Sequence, residues 1–174
     1  MKPSILDQLL ELLETGRDNV ANSVSSLSDA DAAKRPALGR WSALECMEHI
    51  AFVEGVYLGW LESAVVLAEP KRDEEREAWI TAHVRNRERL AQTPPMAEPK
   101  GNFTTVAEAL TEFHAVRDRV LAAVRERDSK LVLLQANHPA LGLLNGVELV
   151  RLIEAHASRH ASQIRHAKES VRSS

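Results

Sequence analysis

Residues 151–170 read "RLIEAHASRHASQIRHAKES" and hold three of the chain's seven histidines. At about 100° per residue, the apolar stripe Leu149, Leu152, Ile153 continues through His156, His160 and Ile164. His156 and His160 are four positions apart, so they stand one turn apart on the face that turns inward. Imidazoles buried among leucines cost free energy unless their nitrogens have partners. This helix therefore decides two things together, the class of the fold and where its chemistry sits.

Upstream, Asn145 and Glu148 supply the N-terminal cap of this last helix, which extends toward Val171. Thr105 and Glu108 form a capping box for an earlier long helix, with Val106, Leu110, Phe113, Val120 and Val124 facing inward. In "WSALE" (41–45), Ser42 and Glu45 form the same device. That helix is expected to run to about Leu67, before Pro70, with the stripe His49, Val53, Val56, Trp60. A first helix starts near Ser4 and carries Ile5, Leu9, Leu12, Leu13, Val20, Val24 and Leu27, with Gly16 inside its pattern and Ser28 at its exit.

Glycine and proline, seven each, fall mainly outside these segments, and no β-branched run alternates with period two. The expected fold is all-α, a four-helix bundle in one domain over 1–174. "RDEEREAWITAHVRNRERL" (72–90) reads as a shorter exposed helix, followed by a break at "TPPMAEPKGN" (93–102). This crossover is longer than an antiparallel hairpin needs, so the second and third long helices can run parallel, with the charged helix crossing an end of the bundle. "SKLVLLQANHPALGLL" (129–144) reads as a loop.

Twenty-two basic against twenty-five acidic residues give a net charge of −3 with no long basic block, which argues against a nucleic-acid partner. No apolar run approaches eighteen residues, so no membrane span is expected. Asp7, Glu11 and Glu14 interrupt any signal-like run, and the single cysteine, Cys46, allows no internal disulfide. The expected location is cytoplasmic.

His49, in a core register on the second helix, joins His156 and His160 as a candidate ligand. The residues alone leave two readings open. A divalent cation partners all three nitrogens, and an i, i+4 pair has the reach to chelate it. Alternatively, each is a core histidine hydrogen-bonded to a neighbour. A zincin-type peptidase is disfavoured, because Ala157 stands where His-Glu-x-x-His carries its base.

"WSALECMEHI" (41–50) and "NHPALGLLNGVELVRLIEAHASRHASQI" (137–164) together resemble the DinB/YfiT-like superfamily of bacterial four-helix bundles. The pattern is Trp-Ser before a histidine two turns on, then a His-Pro-x-x-Gly loop, then His-x-x-x-His followed by Gln-Ile. The resemblance implies that His49, His156 and His160 are three metal-binding histidines, with water or substrate completing the shell. It implies a divalent ion (Zn, Ni, Mn or Fe) and either of two activities. Characterised relatives include transferases and isomerases that use bacillithiol, mycothiol or glutathione, and others carry the label of metal-dependent hydrolase. The low-molecular-weight thiol S-transferase is the expected activity here, since no residue is an obvious base for a metal-bound water. A metal-dependent hydrolase and a non-catalytic metal- or ligand-binding stress protein are the alternatives. The partners expected are a small-molecule substrate and a second copy in a homodimer. Leu141 stands where the loop often has an aromatic, and residues 70–103 match nothing in the family pattern.

Other residues carry a functional and a plain reading side by side. Glu45 can orient His49 or simply cap its helix, and His138 can line the pocket and take a proton or anchor its loop. Cys46 reads as a small buried hydrophobe, and Trp41 as a staple on the second helix. His83 and His166 are expected in solvent, His114 beside the core, and Arg159 and Arg165 either at the site entrance or on a solvated face.

Overall fold

A computed structural model describes residues 3–67, 69, 72–88 and 93–172. Its helices are α1 (Ile5–Val24), α2 (Asp29–Ala33), α3 (Ala43–Ser63), α4 (Glu74–Arg85), α5 (Val106–Arg127) and α6 (Gly146–Arg172). The capping devices are formed: Ser4 with Asp7, Ser42 with Glu45, Thr105 with Glu108. Asn145 and Glu148 do the same for α6, each accepting the other's backbone N–H at 2.8 Å.

Interhelical contacts fix the directions. Arg117 on α5 meets Glu54 on α3, and Arg127 meets the Leu61 carbonyl, so α3 and α5 run parallel. Asn19 meets Ser158, and Lys168 meets the Ser25 carbonyl, so α1 and α6 also run parallel. Glu14 pairs with Arg125 and Arg17 with Asp118, which makes α1 antiparallel to α5. The long crossover is what allows a parallel α3–α5 pair.

The core has two apolar clusters. One gathers Leu9, Leu13, Leu58, Leu61, Leu121 and Ile153, and the other gathers Val20, Met47, Ile50, Phe113, Ala161 and Ile164. Between them lies a wholly buried ion pair, Glu54–Arg117, both 0% exposed. Arg117 also donates to the Leu13 carbonyl at 2.7 Å and stacks over Phe113. His156 lies at the same junction, between Ile153 of one cluster and Ala157 of the other.

Three sequence expectations are corrected. The charged helix, α4, lies along α6 instead of over an end: Arg76 pairs with Glu148, Arg85 with Glu154, and Glu77 with Arg151. Ile80 is its one fully buried apolar side chain, so ion pairs do most of the docking that a hydrophobic stripe usually does. Next, α3 stops at Ser63, and the β-branched pair that follows forms a short strand, β1 (Val65–Val66). Finally, the expected loop over 129–144 contains β2 (Leu134–His138) and leads into β3 (Gly142–Asn145), which make an antiparallel sheet in the order β1-β2-β3. The strands are two, five and four residues long and leucine-rich, too short for a period-two signal. Gly142, at φ +72°, takes the left-handed conformation at the hairpin turn, where a side chain would strain the backbone.

Candidate metal centre

α3 presents His49, and α6 presents His156 and His160 from the facing side. One ligand nitrogen from each lies within 4.8 Å of the other two. The His49 and His156 Nε2 atoms are 3.1 Å apart. The three rings sit 4.6 to 5.0 Å from each other, centroid to centroid. The expected triad is therefore assembled, from the spacing read in the sequence.

The outer nitrogens fix the tautomers. His49 Nδ1 is 2.8 Å from the Ala97 carbonyl, an acceptor only, so Nδ1 carries the proton and Nε2 presents a lone pair. His160 Nδ1 is 3.1 Å from Gln163 Oε1 and follows the same logic. His156 Nδ1 is buried and has no hydrogen-bond partner among the described residues. Burial lowers the pKa of all three, His156 well below its usual value and His160 to about 3. Neutral imidazoles with inward lone pairs are the form that ligates a metal.

The donor set fits a cation. The His49 Nε2 lone pair faces His156 Nε2 at 3.1 Å, a separation satisfied by a proton on His156 Nε2 or by an ion between the two nitrogens. An ion bound about 2.0–2.1 Å from each nitrogen would hold neighbouring nitrogens about 3.3 Å apart, close to that spacing. No carboxylate joins the gathered ligand atoms among the described residues.

Aromatic rings wall the centre. Trp41, expected as a helix staple, lies 4.8 Å from the His49 ring and 6.0 Å from that of His160. Tyr57 stands edge-on to His156, and Trp60 edge-on to His138. His138 is near Tyr57, with Nδ1 accepting the Ala140 and Leu141 amides at 3.0 and 3.1 Å. This leaves its proton on Nε2, so the loop-anchoring reading is met and the free nitrogen is a donor. An open groove of about 630 Å³ adjoins the centre at Trp41, lined also by Arg35, Glu45, Thr93, Pro95 and Pro99.

The remaining expectations fall out as follows. Glu45 lines that groove, with its carboxylate engaged by Arg35 and the Ser42 amide, while Ala97 occupies the His49 Nδ1 position that Glu45 was a candidate to fill. Cys46 is 0% exposed, and burial pushes its thiol up to about 12. His166 is exposed, whereas His83 is half-buried against Trp79. His114 packs edge-on to Phe113. Arg159 donates to the Val84 carbonyl and Arg165 to Asn19. Sequence reasoning missed Ala97, Gln163 and Glu48. A backbone carbonyl has no sequence signature, and Glu48 was readable only as one of several acids on the second long helix.

The DinB superfamily model matches residues 12–164. The Bacillus subtilis (strain 168) protein named "Uncharacterized protein YuaE" is 27% identical over 165 residues, covering 93% of this chain and 98% of that one. Among solved structures, YfiT from Bacillus subtilis, described as "a probable metal-dependent hydrolase with an unusual four-helix bundle topology", aligns with a TM-score of 0.61 at 16% identity. The alignment covers 97% of this chain and 92% of YfiT. The four-helix bundle protein TT2238 aligns with a TM-score of 0.52 at 20% identity, over 97% and 99% of the two chains. At these identities the two structures bear on the fold, and the family model, spanning most of the chain, decides kinship. The chain belongs to the DinB superfamily.

Proposed function

We propose that the chain is a metal-dependent enzyme in which His49, His156 and His160 hold one divalent cation, and that it transfers a low-molecular-weight thiol to an electrophilic small molecule. The observation that carries this reading is the convergence of three neutral imidazoles, with no cysteine or carboxylate gathered to them among the described residues. When bound, the cation favours the thiolate form of a coordinated thiol. In the net reaction the thiol sulfur bonds to an electrophilic carbon, and the thiol proton passes through solvent to the acceptor or its leaving group.

The chain's own residues favour transfer over hydrolysis. A hydrolase needs a base for its water. His138 Nδ1 is already taken by two backbone amides, and the Tyr57 hydroxyl is pushed up to about 12 by burial. A thiol needs no such base, because its own pKa is about 8.5 before any metal acts. Trp60 and Tyr57 offer an apolar wall for the acceptor, and the His138 Nε2–H is a donor for charge developing on it. The hydrolase reading draws support from the description of YfiT.

The test is to strip the protein with chelator, reload it with Zn, Ni, Mn or Fe(II) separately, and assay two reactions. These are conjugation of glutathione, bacillithiol or mycothiol to chlorodinitrobenzene, and ester hydrolysis without thiol. Metal-dependent conjugation is the expected result. Hydrolysis indifferent to thiol would establish the hydrolase, and stabilisation by metal without turnover would establish a binding protein.

A further inference from the structure

Glu48 precedes His49 on α3 and is 8% exposed. Its Oε1 accepts from the Lys100 amide at 2.9 Å and from Asn102 Nδ2 at 2.6 Å. Its Oε2 accepts from the Gly101 amide at 2.9 Å and the Asn102 amide at 3.1 Å. Three consecutive backbone amides thus converge on one carboxylate, and Gly101, at φ +78°, supplies the left-handed bend that turns them inward. Hydrogen bonds to an ionised acceptor are roughly twice as strong as neutral ones.

The same segment carries the carbonyl that holds His49. Ala97 lies three residues before Lys100, and its oxygen takes the Nδ1–H of His49. Adjacent residues on α3 therefore grip both ends of one short segment. Among the described residues, every hydrogen bond from 95–102 to a helix ends on Glu48 or His49. The other backbone bonds of the Pro95–Ala97 turn are local, to Pro94 and Pro95.

We infer that Glu48 is a positioning residue of the centre: by pinning residues 100–102 it fixes the Ala97 carbonyl, which sets the tautomer and ring orientation of His49. A metal-ligating histidine commonly donates its second nitrogen to a carboxylate or carbonyl, and loss of that partner weakens metal binding about 10- to 100-fold. Here the carbonyl is on a loop, so its own anchor inherits the role. The functional meaning rests on the metal-centre reading, while the orienting action does not.

Two measurements separate these. In the metal-free protein, the His49 Nδ1–H is followed by proton–nitrogen NMR. Zinc affinity is then measured by competition with a chromophoric chelator. E48Q keeps the side-chain volume but sets an NH2 group against the backbone amides. N102A is the milder change, removing one donor only. In wild type the Nδ1–H is expected to exchange slowly, being held by the Ala97 carbonyl. In E48Q it is expected to broaden or vanish, with zinc affinity down about tenfold or more, and N102A is expected to move both readouts less in the same direction. If E48Q lowers the melting temperature while the Nδ1–H signal and zinc affinity stay as in wild type, Glu48 is a loop tether and the inference fails. Should wild type bind no zinc, the metal-centre reading fails, and the NMR result alone then decides whether Glu48 orients His49.

Discussion

The Nε2 atoms of His49 and His156 stand 3.1 Å apart although 107 positions separate them in the chain. Among the described residues no carboxylate joins the cluster to share a positive charge, and burial lowers the pKa of both rings. Two neutral imidazoles in this arrangement are held by the packing of α3 against α6, and under the proposed function a cation completes them.

Replacing His156 with Ala removes one of the three proposed ligands. Zinc affinity is expected to fall by at least 100-fold, and zinc-dependent thermal stabilisation should largely disappear. The stability of the metal-free protein should change less, since the cavity left behind is offset by relief of an unpartnered buried nitrogen. Calorimetric scans with and without zinc check both statements.

Acid should destabilise the metal-free fold through these same rings. Unfolded histidine titrates near pH 6.5, whereas folded His160 does so at about 3. Below pH 6.5 the unfolded chain takes up protons that the folded chain refuses, so stability is intact above that value and declines as pH falls toward 3. Urea denaturation at pH 7.5, 6, 5 and 4 should show the decline, with a shallower slope for H160Q. Equal slopes would mean that carboxylates alone govern it.

The Glu54–Arg117 pair should behave as a buried charge pair. E54Q strands the guanidinium and is expected to cost about 3–5 kcal/mol in urea denaturation. A double replacement by Leu should cost less than the sum of the single changes, because it leaves neither charge unpartnered.

Cys46 should be chemically silent. With its thiol at 0% exposure and pushed up to about 12, it should resist aromatic disulfide reagents in the folded protein and react on denaturation. C46A should leave zinc affinity unchanged. Loss of zinc on this change would place the sulfur in the coordination sphere.

The parts legible in the sequence were those encoded locally. Ser42 with Glu45 and Thr105 with Glu108 announce their helices within four residues, and the one-turn spacing of His156 and His160 puts both on one face. The missed parts depend on partners distant in the chain. β1 exists because Val65 and Val66 find Gln135 and Leu134. α4 lies on α6 through arginines and glutamates that, read along the chain, look like a solvated surface. The partner of His49 Nδ1 is a backbone oxygen 48 positions away, invisible to any reading of side-chain types.

The spacing of the three histidines along the chain also dictates when the triad can assemble during synthesis. His49 leaves the ribosome about a hundred residues before His156 and His160, which belong to α6, whose inner face is also what α1 packs on. A nascent chain that ends before α6 has a single member of the triad and an unroofed first helix. Assembly of the triad is therefore tied to the docking of α6, and a chain truncated shortly before His156 lacks two of the three histidines together with the helix that α1 packs on.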